Sequence, residues 1–331
     1  MDKNHSVPSV PIVEGIRLQS GDLGTTCLRL AKIGEPAEMD RCWVWGWMQG
    51  GVDTPPLMHL RTFSKIGLIG SHGFTRLAAT PLERNEFQKY SLLLHSDDET
   101  VKYMPGDQPG LWQLKGTNPV ILCSFSADRL HLVESDLLVV NYELFPYAML
   151  AHSRCALGTP YLHQHALITG TFKGKPVRYL GGFDRCFGGD FAALKHGNLF
   201  TGLSFAGVHI DGCREWGFVA RIGREGGIGF YCKDGEEPVI SDGVKFIADW
   251  KKIPYADNDV WVFTEADFGF GGKVIHYKAK WGMMGLDGMP RKHGGMTQSS
   301  GYWYEGDTPY RFDLSLTYCE SHNAFSHNIP L

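Results

Sequence analysis

The sequence predicts an all-β fold of two packed antiparallel β-barrel lobes with little helix, and three observations lead there. Segments of period-two alternation recur along the chain with Gly, Pro, Asn or Asp between them, the pattern of an antiparallel meander or barrel. The chain holds 41 Gly, 9 Trp, 13 Tyr and 19 Phe, a mixture that suits short aromatic-rich strands joined by tight turns. Its 331 residues exceed the roughly 150 of one ordinary domain, which divides the strands between lobes at 1–190 and 191–331.

The first clear strand is 41–48, where Trp43, Trp45 and Trp47 alternate with other residues and so share one face. Strands follow at 57–63, 86–95, 119–126 and 130–145, the last long enough for two strands or one bent strand, and then at 161–172. Beyond Gly188 the pattern continues at 198–210, 215–222, 228–232, 239–250, 259–270, 273–284 and 301–322. Helical periodicity is scarce. The segment 190–195 is short, and 142–155 is the one longer helix candidate. With no Ser/Gly-rich or Pro-rich linker, the lobes are expected to pack tightly, with a boundary between 185 and 200.

Charge and cysteine usage narrow the function. The formal charge of −4 arises from 36 acids interspersed with 32 bases, so no basic stripe is available for a phosphate backbone and nucleic acid is not an expected partner. Eight cysteines without a Cys-x-x-Cys pair read as free thiols. The start, with Pro8 and Pro11, lacks the apolar core of about 7–15 residues of a secretory signal. No stretch approaches the ~18 uninterrupted apolar residues of a membrane span. The expected location is the cytoplasm. Neither nucleotide loop, neither Gly-x-Ser-x-Gly nor His-Glu-x-x-His is present, and the Gly-rich run 223–229 matches none of them.

The most informative stretch runs from Gly158 to Gly188 and reads as strand, tight turn, strand and glycine-rich corner. Gly174 supplies a positive φ for the turn, and Gly181-Gly182 permits close backbone approach. The corner is Gly182-Phe183-Asp184-Arg185-Cys186-Phe187-Gly188. At these residues the chain resembles the AttH-like and carotenoid-hydratase group of two-domain lipocalin-like proteins, which includes kievitone hydratase-like proteins and fungal Diels–Alder cyclases. That group's corner has the form Gly-x-x-Asp-His-x-Trp-Gly; here Arg185 stands at its His and Phe187 at its Trp. The resemblance implies two lipocalin-like lobes and a cofactor-independent lyase or isomerase that hydrates, dehydrates or cyclises a hydrophobic small molecule.

Residue by residue, the chemistry has rival readings. His163 and His165 lie two apart, so on a strand both imidazoles share a face and either line one cavity or ligate one metal. Ile168 and Thr169 occupy the places where a cupin carries its Glu, which favours cavity lining; no metal and no cofactor is expected. Asp184 at the corner either locks the turn or moves a proton, and in a tight hairpin its carboxylate reaches back to orient an imidazole. His163, His165 and Asp184 are the catalytic candidates. Trp45, Trp47, Tyr161, Arg185, Tyr302, Trp303 and Tyr318 are the substrate-binding candidates, the surfaces of the aromatic ones suiting a terpenoid, steroid or polyketide and core packing equally well. Two further acidic pairings, Glu320 with His322 and Glu265 with Asp267, read more simply as polar strand ends.

The expected partner is a hydrophobic small molecule, bound in the first barrel near its contact with the second; the sequence leaves a homo-oligomer open. Two alternatives remain, a non-catalytic lipocalin-like carrier and a cupin-like metal enzyme using His163 and His165. A far-ultraviolet circular dichroism spectrum dominated by strand is the expected outcome, and a helix-dominated one overturns the fold reading.

Overall fold

Alternation obliges each strand to turn its apolar positions toward cover, and near the middle of this chain both faces are apolar, so cover is needed on both sides. The computed structural model describes residues 12–20, 24–31, 41–49, 53–64, 73–77, 79–80, 87–88, 102–105, 111–115, 121–126, 128–134, 137–153, 161–186, 200–222, 226–241, 243–255, 258–282, 296–307 and 312–322. Among them there is no helix. The helix expected at 190–195, Phe187 and Tyr310 lie outside the described residues, as does most of 86–95.

Fourteen strands form the first sheet. They are β1 (Ile12–Ser20), β2 (Gly24–Ala31), β3 (Arg41–Met48), β4 (Leu57–Ser64), β5 (Gly73–Arg76), β6 (Phe87–Gln88) and β7 (Lys102–Pro105). With them are β8 (Leu111–Lys115), β9 (Ile121–Phe125), β10 (Arg129–Glu134), β11 (Leu138–Leu144), β12 (Ala148–Ser153), β13 (Tyr161–Phe172) and β14 (Lys175–Cys186). The main path runs β6-β5-β4-β3-β14-β13-β11-β10-β9-β8-β7, and β12 joins β13 to the β1–β2 hairpin. Nine strands form the second sheet: β15 (Phe200–Val208), β16 (Arg214–Ile222), β17 (Gly226–Lys233), β18 (Val239–Ser241), β19 (Lys245–Tyr255), β20 (Asn258–Phe270), β21 (Lys273–Gly282), β22 (Met296–Glu305) and β23 (Leu314–His322). Their order is β18-β17-β16-β15-β23-β22-β21-β20-β19. Each sheet curls into an antiparallel half-barrel.

One sequence expectation is corrected here. The helix read over 142–155 is the end of β11 and the whole of β12. Both strands lie along the same neighbour, Leu144 opposite Ala166 and Met149 opposite His163 on β13. Pro146 occupies the break between them, where a residue without an N–H removes no ladder bond. Phe145 N–H still reaches the His165 carbonyl at 2.8 Å.

The β13–β14 hairpin turns through Lys173 and Gly174 with φ of 51° and 72°, the double positive φ of a type I′ turn. Gly174 meets that demand without strain. Twelve residue pairs of unbroken register follow, Phe172 opposite Lys175 down to Tyr161 opposite Cys186, and they fix which side chains of the two strands share a face.

Three apolar cores result. Val44, Leu162, Ile168 and Phe183 face the concave interior of the first sheet. Leu203, Phe205, Val219 and Phe268 face that of the second. The third core lies between the sheets, where Trp45, Trp47, Phe145 and Leu180 meet Ala206, Trp216, Phe230 and Leu316. Ion pairs across this junction, Arg178 with Asp313 and Arg214 with Glu143, are solvent-exposed and contribute about 0–1 kcal/mol each. Burying one large apolar side chain such as Phe145 stabilises by about 1.5–3 kcal/mol, so the apolar sandwich, and not the ion pairs, joins the lobes. The described cysteines, Cys42, Cys123, Cys213, Cys232 and Cys319, are free thiols. No helix among the described residues is long and apolar enough to cross a membrane.

The first interior also buries a polar group. His59 Nε2 lies 2.6 Å from the Tyr142 hydroxyl and its Nδ1 3.2 Å from that of Tyr179. Burial, then the neighbouring Arg61 charge, pushes the His59 pKa from 6.5 down to about 3. His165 is likewise held well below 6.5, by burial first and then by His163. Below pH 6.5 the unfolded chain therefore binds more protons than the folded one. Stability is unaffected by these groups above that pH and falls as the pH drops through the window, by up to ~1.4 kcal/mol per unit and per imidazole. The expected outcome is a melting temperature that declines between pH 6.5 and about 4, with a shallower slope in His59→Gln. An unchanged slope in that variant overturns the assignment.

Candidate functional site

The site forms on the face of β13 and β14 that turns away from the first interior. Register places His163 opposite Asp184 and His165 opposite Gly182, and Gly182 in turn opposite Trp45 on β3. Alternation then puts both imidazoles, the carboxylate and the indoles of Trp45 and Trp47 on the side facing the second sheet. Sequence reasoning set these imidazoles inside the first barrel; the structure turns them out into the core between the sheets. Period two establishes that two side chains share a face, and it does not say which of two apolar faces they share.

Gly182 is what lets these groups meet. A Cβ there would lie 2.4 Å from Trp45 Cζ2 and 2.6 Å from its Cε2, so the indole lies flat across the glycine. From that position Trp45 Nε1–H donates to Asp184 Oδ2 at 3.1 Å. The same ring stacks on His163, with centroids 5.8 Å apart and planes at 17°. Gly181 serves the other face, where a Cβ would meet the Trp45 carbonyl oxygen at 2.1 Å.

A chain of hydrogen bonds runs through the site. Asp184 Oδ1 lies 2.8 Å from His163 Nδ1, His163 Nε2 lies 2.9 Å from Ser204 Oγ, and His165 Nε2 reaches the same oxygen at 2.8 Å. Donor logic orders the protons. With the carboxylate accepting, His163 carries its proton on Nδ1 and offers a lone pair at Nε2 to the Ser204 hydroxyl. Ser204 Oγ then accepts Nε2–H of His165, which leaves His165 Nδ1 as a bare lone pair. That atom is buried and has no hydrogen-bond partner. The chain thus runs from the Asp184 carboxyl, 14% exposed, to an imidazole that is fully buried. Burial holds His165 neutral, with its pKa well below 6.5.

Aromatic walls enclose the chain. Trp45 and Trp47 meet edge to face at 5.3 Å, Tyr318 of β23 packs 5.4 Å from Trp47 and 6.1 Å from Trp45, and Phe218 of β16 lies 5.5 Å from His163. Trp47 Nε1 is a second buried polar atom without a partner. Tyr318 donates its hydroxyl to Glu320 Oε2 at 2.5 Å, and Gln298 of β22 donates to both. Burial first, then the Glu320 carboxylate, raises the Tyr318 pKa far above 10 and keeps the phenol protonated.

Of the sequence-selected residues, His163, His165, Asp184, Trp45, Trp47 and Tyr318 come together. Arg185 does not; it is buried on the opposite face, in the first interior. Trp303 belongs to the interior of the second sheet, its indole N–H on the Ala206 carbonyl at 3.1 Å. Tyr302 shares the outer face of that sheet but is 41% exposed and accepts Lys280 Nζ at 2.6 Å. Tyr161 occupies the first position of β13, opposite Cys186, and its side chain lies outside the described residues. Glu265 and Asp267 pair across strands with Lys278 and His276 rather than with one another. Among the described residues no three His, Cys, Asp or Glu side chains group to hold a metal ion. Ser204 was missed. It is one hydroxyl in an apolar strand of the other sheet, and nothing in its local sequence distinguishes it.

No protein-family model and no curated protein matches the chain. Solved structures to which it is similar include an AttH protein of Nitrosomonas europaea, at 11% identity and a TM-score of 0.46 over 88% of this chain and 95% of that one. Another is kievitone hydratase of Nectria haematococca, at 10% identity and a TM-score of 0.41 over 87% of this chain and 89% of that one. A third is CghA with Sch210972, at 10% identity and a TM-score of 0.40 over 87% and 90%.

Replacing Gly182 with Ala is expected to lift the Trp45 indole off β14 and break its bond to Asp184. Overpacking of this kind costs about 1–3 kcal/mol, measurable by urea unfolding together with altered indole emission. A variant with wild-type stability and emission overturns the role given to this glycine.

Proposed function

We propose that the protein is a cofactor-independent enzyme that moves a proton on a largely apolar small molecule, in hydration, dehydration, isomerisation or cyclisation. The hydrogen-bonded chain from Asp184 through His163 and Ser204 to His165, lying under an aromatic wall, is the observation that supports this reading. In it the bare Nδ1 of His165 takes a proton from the substrate. Its Nε2 proton passes to Ser204, and the Ser204 proton passes to His163 Nε2. The charge comes to rest on His163, where the Asp184 carboxylate 2.8 Å away stabilises it. Run in reverse, the same chain delivers a proton.

This arrangement resolves a conflict that one imidazole cannot. An apolar pocket suits an apolar substrate but weakens a base, as the depressed His165 shows. Relaying the proton to a second imidazole beside a carboxylate restores the driving force while the substrate stays in the dry core. Trp47 Nε1–H, free of any partner, supplies a donor for an oxygen that gains negative charge during the reaction. Trp45, Trp47 and Tyr318 hold a terpenoid, steroid or polyketide skeleton in one conformer, which is how a shaped cavity promotes addition or ring closure.

A second reading rests on the same geometry, since Asp184, His163 and Ser204 have the connectivity of an acyl-transfer triad. Two features weigh against it. Ser204 is fully buried and its hydroxyl is shared by both imidazoles. Its strand is also paired on both sides, so the backbone N–H groups that line most oxyanion holes are used by the ladder.

The test is solvent labelling. Apolar terpenoid, steroid and polyketide alcohols and alkenes are incubated with the protein in D2O, and carbon-bound deuterium is read by mass spectrometry. Incorporation that falls by about 10²- to 10⁴-fold in His163→Gln and in His165→Gln, with melting temperatures close to wild type, is expected. Ligands retained and released unlabelled identify a carrier instead, and covalent capture of Ser204 by a fluorophosphonate identifies the acyl-transfer reading.

A further inference from the structure

Arg185 follows Asp184 in β14, so alternation sends the two side chains to opposite faces. Asp184 faces the shared core and gives its carboxylate to His163 and Trp45. Arg185 enters the interior of the first half-barrel, where it is 4% exposed. Its guanidinium lies over the Phe183 ring at 4.4 Å, and Nη2 donates to Gln164 Oε1. Gln164 is itself fixed, donating Nε2 to the Phe145 carbonyl at 2.6 Å. Nε of Arg185 is buried with no partner, and among the described residues no carboxylate forms an ion pair with it.

A buried guanidinium without a counterion is costly, and proteins ordinarily pair such a charge. The same interior shows that pairing elsewhere. Arg61 donates from Nε and Nη2 to both oxygens of Glu134, at 2.5 and 2.6 Å. His59 is neutral, its pKa pushed down to about 3. Tyr142 and Tyr179 are neutral as well, raised far above 10 by burial. Burial lowers Arg185 to about 10, against the opposing pull of Asp184 and then Cys42, so it keeps its proton at neutral pH. Among the described residues of this interior, Arg185 is thus a buried charge without an ion-pair partner, set beside apolar residues such as Leu162 and Phe183.

We propose that the interior of the first half-barrel is a second binding site, separate from the proton-transfer chain, for an apolar monocarboxylate whose carboxylate accepts from Arg185 Nε. One negative charge balances one guanidinium. A phosphate dianion would leave a second charge buried and unpaired, while a neutral alcohol would leave the guanidinium uncompensated. Gln164 and the Phe183 face hold the guanidinium plane in place before the ligand arrives, which lowers the ordering cost of a planar carboxylate contact. The apolar tail lies along the walls of the interior core.

Decanoate, decanol and acetate serve as probes against the intact protein. Decanoate is expected to raise the melting temperature saturably, by about 2 °C near ten times its dissociation constant, and to give a calorimetric isotherm of one site. Decanol and acetate are expected to shift it far less. The decanoate response persists in His163→Gln, which alters only the other face, and is lost in Arg185→Gln. Should Arg185→Gln fail to fold, the wild-type comparison of decanoate with decanol decides the matter. Equal responses to the two probes, no response to decanoate, or a decanoate response that survives Arg185→Gln each overturn the proposal.

Discussion

Two imidazoles on one face of β13 place four ring nitrogens inside an apolar core, three of them hydrogen-bonded, and the rest of the structure is arranged around those bonds. Asp184 is available only because the β13–β14 register sets it opposite His163. Trp45 reaches Asp184 only because Gly182 has no side chain. Ser204 comes from the other sheet and bonds both imidazoles at once, donating to His163 Nε2 at 2.9 Å and accepting from His165 Nε2 at 2.8 Å. A slip of one residue in β15 would turn Ser204 toward the second interior and leave both imidazoles without it. The hydroxyl therefore adds a directional contact between the half-barrels to the apolar ones, as the bond from Trp216 Nε1 to the Tyr147 carbonyl also does.

Two-sided burial is the wider principle at work. In an ordinary barrel the outer face meets water and reads as polar. Here β3, β13, β14, β15 and β16 are covered on both faces, so adjacent residues serve different cores: Val44 and Phe183 one, Trp45 and Leu180 another. Polar groups consequently fall into separate compartments. Arg61, Glu134, His59 and Arg185 occupy the first interior, while His163, His165, Asp184 and Ser204 occupy the junction. A single strand, β14, supplies both compartments from consecutive residues. The lobes are therefore joined by a layer that both packs and holds the candidate chemistry.

The strands were largely legible. The span 161–172 is β13 as read, 259–270 falls one residue short of β20, and 41–48 is β3, because alternation survives wherever aromatic and small residues share opposite faces. The segment 142–155 was not, since Glu143, Leu144, Ala148, Met149, Leu150 and Ala151 are good helix formers. Tertiary pairing along β13 overrides that preference, as local propensity yields wherever a neighbouring strand offers a full ladder. The site was legible in part. His163, His165 and Asp184 announce themselves by spacing and by the hairpin, and Trp45 and Trp47 by alternation. Arg185 was placed with them because it is adjacent in sequence, and adjacency on a strand means the opposite face.

By itself the sequence determined what local physics can enforce: strand positions through period two, the hairpin through the turn at Lys173 and Gly174, and the shared face of each i, i+2 pair. Only the tertiary structure decided which face looks inward, because both are apolar and alternation is symmetric between them. It also decided that Ser204, 39 residues from His165, completes the chain, and that Arg185 is left with an unpartnered Nε. Those outcomes depend on how two curved sheets lie against each other, and the sequence near any one residue carries no record of that.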